Sequence, residues 1–257
     1  MKKYELTSET KVINGIELHR IKALKSFGNV EKGDLGGWIE SEKNLSQYGD
    51  AWVCGNATVF GDSTVGGDAW VFGNATVEEN ATVFGNAMVC GNATVRGNAT
   101  VCGDATVCRN ATIYENATVC GDAWVYGNAW VCGNATVGGN ATVEENATVG
   151  GNATVCRNAT VCGNATVGGN AWVYENATIG GNATVSGDAD FIVFKNWWSS
   201  RRYFTWTRSN NQWSVGCFYG SGEELIAKAY KDSEKSGREY ERVVKYVESI
   251  LEEENNK

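Results

Sequence analysis

A six-residue period runs through this chain from Asp50 to Asp188 without an insertion or a deletion. Asn or Asp stands at every sixth position in this range, which makes 24 consecutive occurrences. The typical unit is Asn-Ala-Thr-Val-x-Gly, as at residues 92–97. A period of six is too short for a helical repeat and is typical of a parallel β-helix, in which each coil stacks on the previous one. The sequence therefore predicts an all-β solenoid.

Alternation within the hexad predicts which side chains face the core. Ala and Val stand two residues apart, so Ala57 and Val59 point the same way in an extended segment. No charged residue occupies either position between residues 51 and 189, so both columns are expected to face inward. The Gly-Asn or Gly-Asp pair is expected to form the corner, because these residues tolerate a positive φ. Three hexads make one triangular coil, so the repeat predicts eight coils with a total length of about 38 Å, at about 4.8 Å per coil.

The pattern resembles the hexapeptide-repeat family, in which an aliphatic residue is followed four positions later by a small one. Here Val59 is followed by Ser63, and Val95 by Ala99. The resemblance implies a left-handed parallel β-helix, and members of the family are often trimeric acyltransferases or γ-class carbonic anhydrases. The ends of the chain resemble uncharacterised bacterial and prophage hexapeptide proteins through residues 33–40 and 215–218. That second resemblance brings no known activity with it.

The N-terminal residues 1–43 are expected to form a separate cap on the β-helix, which itself is expected to span residues 44–193. Residues 12–18 predict a β-hairpin around an Asn-Gly turn. The glycine-rich residues 33–37 are expected to be a loop that leads into a first, degenerate coil at residues 44–45. A cap is needed because an open β-helix exposes unpaired strands at its ends.

Residues 194–257 predict a second cap, an aromatic-rich β-hairpin followed by two helices. The segments 201–208 and 212–219 flank an Asn-Asn pair, which indicates the hairpin. Each helix is expected to open with a Ser-x-x-Glu capping box, Ser221 with Glu224 and Ser236 with Glu239. The last helix is expected to bury one apolar stripe, formed by Tyr240, Val243, Val244, Val247, Ile250 and Leu251.

The charge distribution argues against nucleic-acid binding. The chain has a formal net charge of −8, and residues 50–193 carry thirteen acidic residues against three arginines. An acidic rod that mimics DNA is an alternative, but a duplex about 38 Å long would carry roughly 22 negative charges. That is more than twice the net charge of −10 that thirteen acids and three arginines give to residues 50–193. Residues 1–20 contain no apolar run of the length of a signal peptide, and no stretch could span a membrane. A cytoplasmic protein without membrane association is therefore expected.

Residue types required by the enzymes of the fold are scarce. The chain has a single histidine, His19, and it lies in the predicted N-terminal hairpin. Hexapeptide acyltransferases typically use a histidine base, and the related carbonic anhydrases bind zinc through three histidines. No cofactor, metal site or catalytic residue is therefore expected. An acyltransferase-like enzyme that uses an unusual base remains the alternative, by fold analogy alone.

The nine cysteines are expected to be free thiols. Eight of them occupy the outward x position of the hexad, where Cys90 and Cys108 would stack one coil apart, within reach of a disulfide bond. The other residues at this position are mostly one nucleotide away from a cysteine codon, which indicates drift among duplicated repeats. Reduced surface thiols are the expectation in a cytosol.

Outward aromatic residues predict a protein contact on one face of the prism. Residues 18 apart lie on the same face, and one face collects an apolar stripe that a soluble monomer would rarely leave exposed. A homo-oligomer is expected, with a trimer favoured, and docking of the terminal modules is the alternative. The stripe consists of Trp52, Trp70, Phe72, Met88, Trp124 and Tyr126.

A second aromatic cluster lies in the C-terminal module, where arginines stand among the rings. Arg beside Trp can bind an anion or a nucleotide base, and it can also stack on a structural aromatic. The favoured function is a non-enzymatic oligomeric scaffold that presents terminal recognition modules to a host protein or a small anionic ligand. The prophage resemblance suits a host-interaction or counter-defence role. The predicted binding residues are Arg201, Arg202, Trp206, Arg208 and Trp213.

Overall fold

The structure is a computed structural model and describes residues 2–255. The N-terminal strands β1 (Tyr4–Ile13) and β2 (Ile16–Ala23) form the predicted antiparallel hairpin. The turn between them has positive φ angles at Asn14 (51°) and Gly15 (82°), as a type I′ turn requires. The Asn-Gly prediction is thus confirmed.

Strand β3 (Leu35–Ile39) follows, and here the predicted loop at residues 33–37 is wrong from Leu35 onward. β3 pairs antiparallel with β2 and parallel with the first solenoid strand of one face. Its glycines allow close packing rather than a turn, because a Cβ on Gly36 would lie 2.5 Å from Ile21 Cγ1. A Cβ on Gly37 would lie 2.8 Å from the Ala57 carbonyl oxygen.

The solenoid consists of two-residue strands separated by corners. In chain order, β4 to β26 are Trp52–Val53, Thr58–Val59, Thr64–Val65, Trp70–Val71, Thr76–Val77, Thr82–Val83, Met88–Val89, Thr94–Val95, Thr100–Val101, Thr106–Val107, Thr112–Ile113, Thr118–Val119, Trp124–Val125, Trp130–Val131, Thr136–Val137, Thr142–Val143, Thr148–Val149, Thr154–Val155, Thr160–Val161, Thr166–Val167, Trp172–Val173, Thr178–Ile179 and Thr184–Val185.

Strands 18 residues apart pair in parallel, which produces three faces. The first face has eight strands, from β4 to β25. The second face has eleven, because β1, β2 and β3 extend the row from β5 to β26. The third face has seven, from β6 to β24, and a bridge from Leu45 to Val65 supplies the predicted degenerate coil before it. The prediction of a parallel β-solenoid of about eight coils is confirmed, while the left hand of the coil stays an expectation from the family resemblance.

The core of the solenoid is formed by the two inward columns of the hexad. Between residues 51 and 185 every alanine and β-branched residue in these columns is at most 1% exposed, as predicted. Ser63 replaces an alanine in one coil, and its hydroxyl donates to the Phe60 carbonyl at 2.7 Å. Fully burying a valine side chain contributes roughly 1.5 kcal/mol or more, so a column of this length is a large source of stability.

The corners add a second, polar ladder. One column of asparagines runs from Asn56 to Asn182, and each Nδ2 donates to the Oδ1 one coil ahead at 3.0–3.2 Å. A second column runs from Asn80 to Asn170. Some corners have a non-glycine residue with a positive φ, and its side chain can form a further hydrogen bond with the next coil. Glu115 (φ 60°) accepts a hydrogen bond from the Gly133 N–H through Oε2 at 2.5 Å.

Most hydrogen bonds of the backbone ladder have the same direction along the solenoid. The N–H groups of the corner Asn, of Thr and of the x residue donate to carbonyls of the following coil, as Thr94 N does to Ala111 O at 3.0 Å. The N–H of the inward Val or Ile donates to the preceding coil, as the parallel register requires. The first coil therefore has carbonyls without a preceding coil, and the last coil has N–H groups without a following one. The N-terminal module donates hydrogen bonds to the free carbonyls, and the C-terminal module accepts hydrogen bonds from the free N–H groups.

The C-terminal module contains the predicted hairpin and one further strand on either side. The strands β27 (Phe191–Lys195), β28 (Tyr203–Thr207), β29 (Gln212–Val215) and β30 (Phe218–Gly220) form an antiparallel sheet in that order. The second predicted segment, residues 212–219, is divided by a turn at Gly216, whose φ is 59°. β27 begins before residue 193 and belongs to both units, since Phe191 packs on the solenoid core and Phe194 on the C-terminal core.

Two helices follow within residues 2–255, α1 (Gly222–Asp232) and α2 (Glu234–Asn255). The predicted capping box at α1 is confirmed, because Ser221 Oγ accepts from Glu224 N at 3.2 Å and Glu224 Oε2 accepts from Ser221 N at 2.8 Å. The predicted box at Ser236 is wrong. α2 begins two residues earlier, and Ser236 N donates to Ser233 Oγ at 3.1 Å. Neither helix of residues 2–255 combines the length and the apolar composition needed to cross a bilayer.

Candidate binding surfaces

The two tryptophans of the predicted C-terminal site lie in the core of their module. Trp206 and Trp213 are each 1% exposed and face each other across the β28–β29 pair. Trp206 Nε1 donates to Asn211 Oδ1 at 2.8 Å, so the indole is also satisfied within the hairpin. A ligand could not stack on rings that are this buried. Their position shows why the module is so rich in aromatics, since a four-stranded sheet and two helices bury little else.

The three predicted arginines have different surroundings. Arg208 is bound by the helix α2, because Nη1 donates to Glu254 Oε2 at 2.6 Å and Nε donates to the Ala189 carbonyl at 3.2 Å. Arg201 is exposed, with a φ of 58°. Arg202 lines a cleft of about 230 Å³ together with Lys228. Of the predicted group, Arg202 alone thus lies beside a second cation in a cavity.

The cleft beside Arg202 has an apolar floor and charged walls. Leu225, Phe218 and Tyr240 contribute apolar surface, while Asp232 adds a negative charge. Neither Arg202 nor Lys228 belongs to any of the salt bridges found within residues 2–255. This arrangement can bind a small anion that carries an apolar part.

The predicted interface stripe on the first face is divided by the N-terminal module. Trp52 is 2% exposed, because the rings of Tyr4 and Phe27 pack against it edge-on at 6.4 and 5.4 Å. The N-terminal module thus docks on the stripe at the first coil, as the alternative to self-association predicted. The remaining stripe residues are not covered by this hairpin contact.

An open groove of about 400 Å³ lies directly beside the covered tryptophan. Trp70, Phe72 and Met88 form most of it, with Cys54 and the loop residue Asn29 at its sides. Met88 is 39% exposed. The outward columns predicted the first three residues, whereas Asn29 carries no sequence signal, because its position depends on how the hairpin docks.

Trp124 and Tyr126 lie two coils further along the same face. Trp124 is 50% exposed and packs edge-on against Tyr126 at 6.5 Å. The Tyr126 hydroxyl donates to the Glu144 carboxylate, and this hydrogen bond raises the pKa of Tyr126 to about 12. The Arg109 guanidinium lies 5.3 Å from the Tyr126 ring centre. The stripe is thus apolar at Trp124 and becomes polar from Tyr126 onward.

The histidine and the cysteines lie away from any shared centre. His19 is in β2, between Thr10 of β1 and Ile39 of β3. All nine cysteines are free, and eight are half-buried on the solenoid faces. Burial is the main cause that raises the pKa of Cys90 to about 11, and the neighbouring Cys108 adds to it. Within residues 2–255, no three His, Cys, Asp or Glu side chains are placed to hold a metal ion.

Comparison with known families supports a solenoid repeat. Residues 48–67 and 159–175 match the model of a family described as YdcK Beta solenoid repeat. Both segments lie in the coils, at opposite ends of the solenoid, and neither includes the terminal modules. The chain is similar to that repeat in these two segments. No curated protein matches it.

Proposed function

We propose that this chain is a non-enzymatic scaffold that self-associates through the first face of its solenoid and holds its two terminal modules a fixed distance apart. Eight coils stacked at about 4.8 Å give a rigid spacer of about 38 Å. Both modules are tied to the spacer by hydrogen bonds from their backbone or side chains. Such a body can present two recognition surfaces in one orientation, which suits a host-interaction role.

The open groove on the first face carries this proposal. Trp70, Phe72 and Met88 present apolar surface on the flat outer side of a β-sheet, directly beside a tryptophan that the chain itself covers. Burying apolar surface contributes about 25 cal/mol per Å², so leaving this groove in water is unfavourable. The groove can be buried when the first faces of several copies turn toward a common symmetry axis. The trimers common in the hexapeptide family favour three copies.

Light scattering of the full chain and of two charge-insertion variants tests self-association. The wild-type protein should have a multiple of the 27.7 kDa chain mass at micromolar concentration. Met88→Glu should shift it toward the monomer, because the carboxylate would be buried in the contact. Trp130→Glu is the matched control, since Trp130 is 49% exposed on the second face. A monomeric wild-type protein, or equal dissociation of both variants, contradicts the proposal.

A second candidate function concerns the Arg202 cleft, which would serve as the recognition site of the C-terminal module for a small organic anion. Its support is the pair Arg202 and Lys228, which form no salt bridge within residues 2–255 and share the cleft with apolar side chains and Asp232. Calorimetry with benzoate as the probe tests it. Arg202→Gln should weaken binding about tenfold, as expected for a lost charge-assisted hydrogen bond. Arg201→Gln should have no effect, and equal loss in both variants would exclude the cleft.

A further inference from the structure

A cavity of about 390 Å³ lies where the third face of the solenoid ends. Its last strand, β24, belongs to the final coil and has no strand stacked on it. The position one coil further is taken by a short 3₁₀ turn, Asp188–Asp190, and by the start of β27. The chain leaves the solenoid here, and β27 and β28 form the far wall of the step that results.

Aromatic side chains from both units line this cavity. Trp172 of β24 is 59% exposed and Tyr174, just after β24, is 48% exposed. Tyr203 of β28 lies opposite, and Phe191 and Val193 add apolar surface from β27. Large aromatic surfaces that remain open inside a cavity of this size are typical of a small-molecule site rather than of packing.

The charged groups that line the cavity are both carboxylates. Asp188 accepts the Trp172 N–H through Oδ1 at 2.7 Å, which leaves Oδ2 free, and Asp188 is in none of the salt bridges of residues 2–255. Glu175 is paired with Arg157 at 2.6 Å, so its charge is largely compensated. Asp188 therefore supplies the negative charge of the site.

We infer that this cavity binds a small organic cation of the quaternary-ammonium class. The faces of Trp and Tyr rings carry negative potential and attract such cations, and a nearby carboxylate adds a Coulombic attraction. Lys195 Nζ lies 5.3 Å from the centre of the Tyr203 ring, so the ring faces open to a ligand cation are those of Trp172 and Tyr174. An anion would be repelled by the Asp188 carboxylate, and a neutral ligand would gain nothing from its charge. This inference is independent of self-association, because the cavity lies on another face.

Choline is the probe, and the neutral alcohol in which carbon replaces its nitrogen is the matched control ligand. The two molecules have the same shape and differ in charge. Saturation-transfer NMR on their methyl signals, with the full chain, should show choline binding with a dissociation constant on the order of 1 mM. The neutral alcohol should bind at least about tenfold more weakly, since it lacks the cation. Equal binding of the two ligands, or absence of choline binding, would overturn the inference.

Two variants locate the site. Asp188→Asn keeps an oxygen for the Trp172 N–H and removes the charge, so choline affinity should fall about fivefold while the fold is retained. Trp172→Ala should lower the affinity for choline further than Asp188→Asn does. Trp130 is an exposed tryptophan on the second face, so Trp130→Ala should bind choline as the wild type does. If Trp172→Ala disturbs the thermal unfolding profile, Tyr174→Ala replaces it. Unchanged affinity in Asp188→Asn would reject the assigned site.

Discussion

The two ends of the solenoid differ in the backbone groups that their caps bind. At the N-terminal end the first coil presents carbonyl oxygens, and the cap supplies donors to them. Trp38 N donates to the Ala57 carbonyl at 2.9 Å, and Lys3 Nζ donates to the Ala51 carbonyl at 2.8 Å. Most of this cap is backbone, because β3 extends the second face as one more strand.

At the C-terminal end the last coil presents N–H groups, and the cap supplies side-chain oxygens, one for each face. Asp188 Oδ1 accepts from Trp172 N on the third face at 2.7 Å. Thr205 Oγ1 accepts from Thr178 N on the first face at 3.0 Å, and Ser209 Oγ accepts from Thr184 N on the second face at 2.7 Å. The antiparallel sheet of this module turns away from the solenoid instead of continuing it.

The difference follows from the polarity of the ladder. Because most of the ladder bonds donate forward, more free acceptors lie at the first end and more free donors at the last. A lysine ammonium therefore suits the first end, and carboxylate and hydroxyl oxygens suit the last, where charge-assisted hydrogen bonds are stronger than neutral ones. The caps are not interchangeable, although both lie on the same repeat.

The largest expected effect is a pH dependence at the N-terminal end. Lys3 is fully buried, and burial lowers its pKa from 10.5 to about 8. Between these two values the unfolded chain binds more protons than the folded one, so the Lys3 contribution to stability rises with pH. From about pH 7 to pH 10 the free energy of unfolding should rise by about 2.5 kcal/mol relative to Lys3→Met. Urea denaturation of both proteins measures it.

Lys32→Met is the control for this experiment, because Lys32 is exposed. Its pH profile should run parallel to that of the wild type. The comparison with Lys3→Met removes other groups that titrate in the same range, such as Tyr4, whose pKa is raised by burial and acts in the opposite direction. Parallel profiles of the wild type and Lys3→Met would show that the Lys3 ammonium is not desolvated by the cap.

A smaller effect is expected at the C-terminal end. Thr205 is fully buried, and Thr205→Val keeps its shape but leaves the Thr178 N–H without an acceptor, which should cost about 2 kcal/mol. Hydrogen exchange at the Thr178 amide should accelerate. Thr205→Ser keeps the hydroxyl and should cost about 1 kcal/mol for its methyl group while the amide stays protected. Rapid exchange in both variants would show that the cap is held by packing alone.

A still smaller effect on stability is expected in the middle of the solenoid, from the asparagine ladder in its corners. Asn110 accepts from Asn92 and donates to Asn128, both at 3.0–3.1 Å, in an uninterrupted column. Asn110→Asp removes the donor and should lower stability by about 1 kcal/mol. Asn176→Asp adds the same charge where the structure of residues 2–255 has no amide ladder bond, so it should cost less. Thermal unfolding compares the two, and equal losses would assign the effect to charge alone.

The repeat could be predicted because its information is local. The residue types within each hexad show which positions face inward and which face outward. The spacing of these residues therefore predicted the eight coils, their buried columns and their corners. The Asn-Gly hairpin and the Ser221 capping box are also local signals, and both were confirmed. The strand that begins at Leu35 could not be predicted, because it is held by pairing with β2 on one side and with the first coil on the other, and neither contact is local in sequence.

The candidate surfaces could be predicted less well for the same reason. The sequence shows that Trp52 and Trp206 are aromatic and near other rings, but not that the hairpin covers the first or that the sheet buries the second. The cavity beside Trp172 arises because no strand stacks on β24, and the 3₁₀ turn Asp188–Asp190 and β27 follow instead. Such a step depends on where the chain leaves the solenoid, and no residue pattern marks it.

The smallest expected effect compares a cysteine of the solenoid wall with the one in the C-terminal module. Cys217 is exposed, at the turn between β29 and β30, whereas Cys162 is half-buried. Burial, followed by the charges of Glu144 and Glu145, raises the pKa of Cys162 to about 11. At about pH 8 the thiolate fraction of Cys162 is then on the order of 10⁻³, and alkylation requires the thiolate.

Iodoacetamide should therefore modify Cys217 well before Cys162, and peptide mass spectrometry after short exposures measures the order. After denaturation without a reductant, the intact mass should show all nine thiols modified. A fraction that resists alkylation until a reductant is added would reveal disulfides between stacked coils, since Cys90 and Cys108 are neighbours. Faster modification of Cys162 than of Cys217 would mean that the solenoid wall is less protective than the turn of the C-terminal module. The expected order instead follows from the partial burial and the raised pKa of the Cys162 thiol, next to a strand that is paired on both sides.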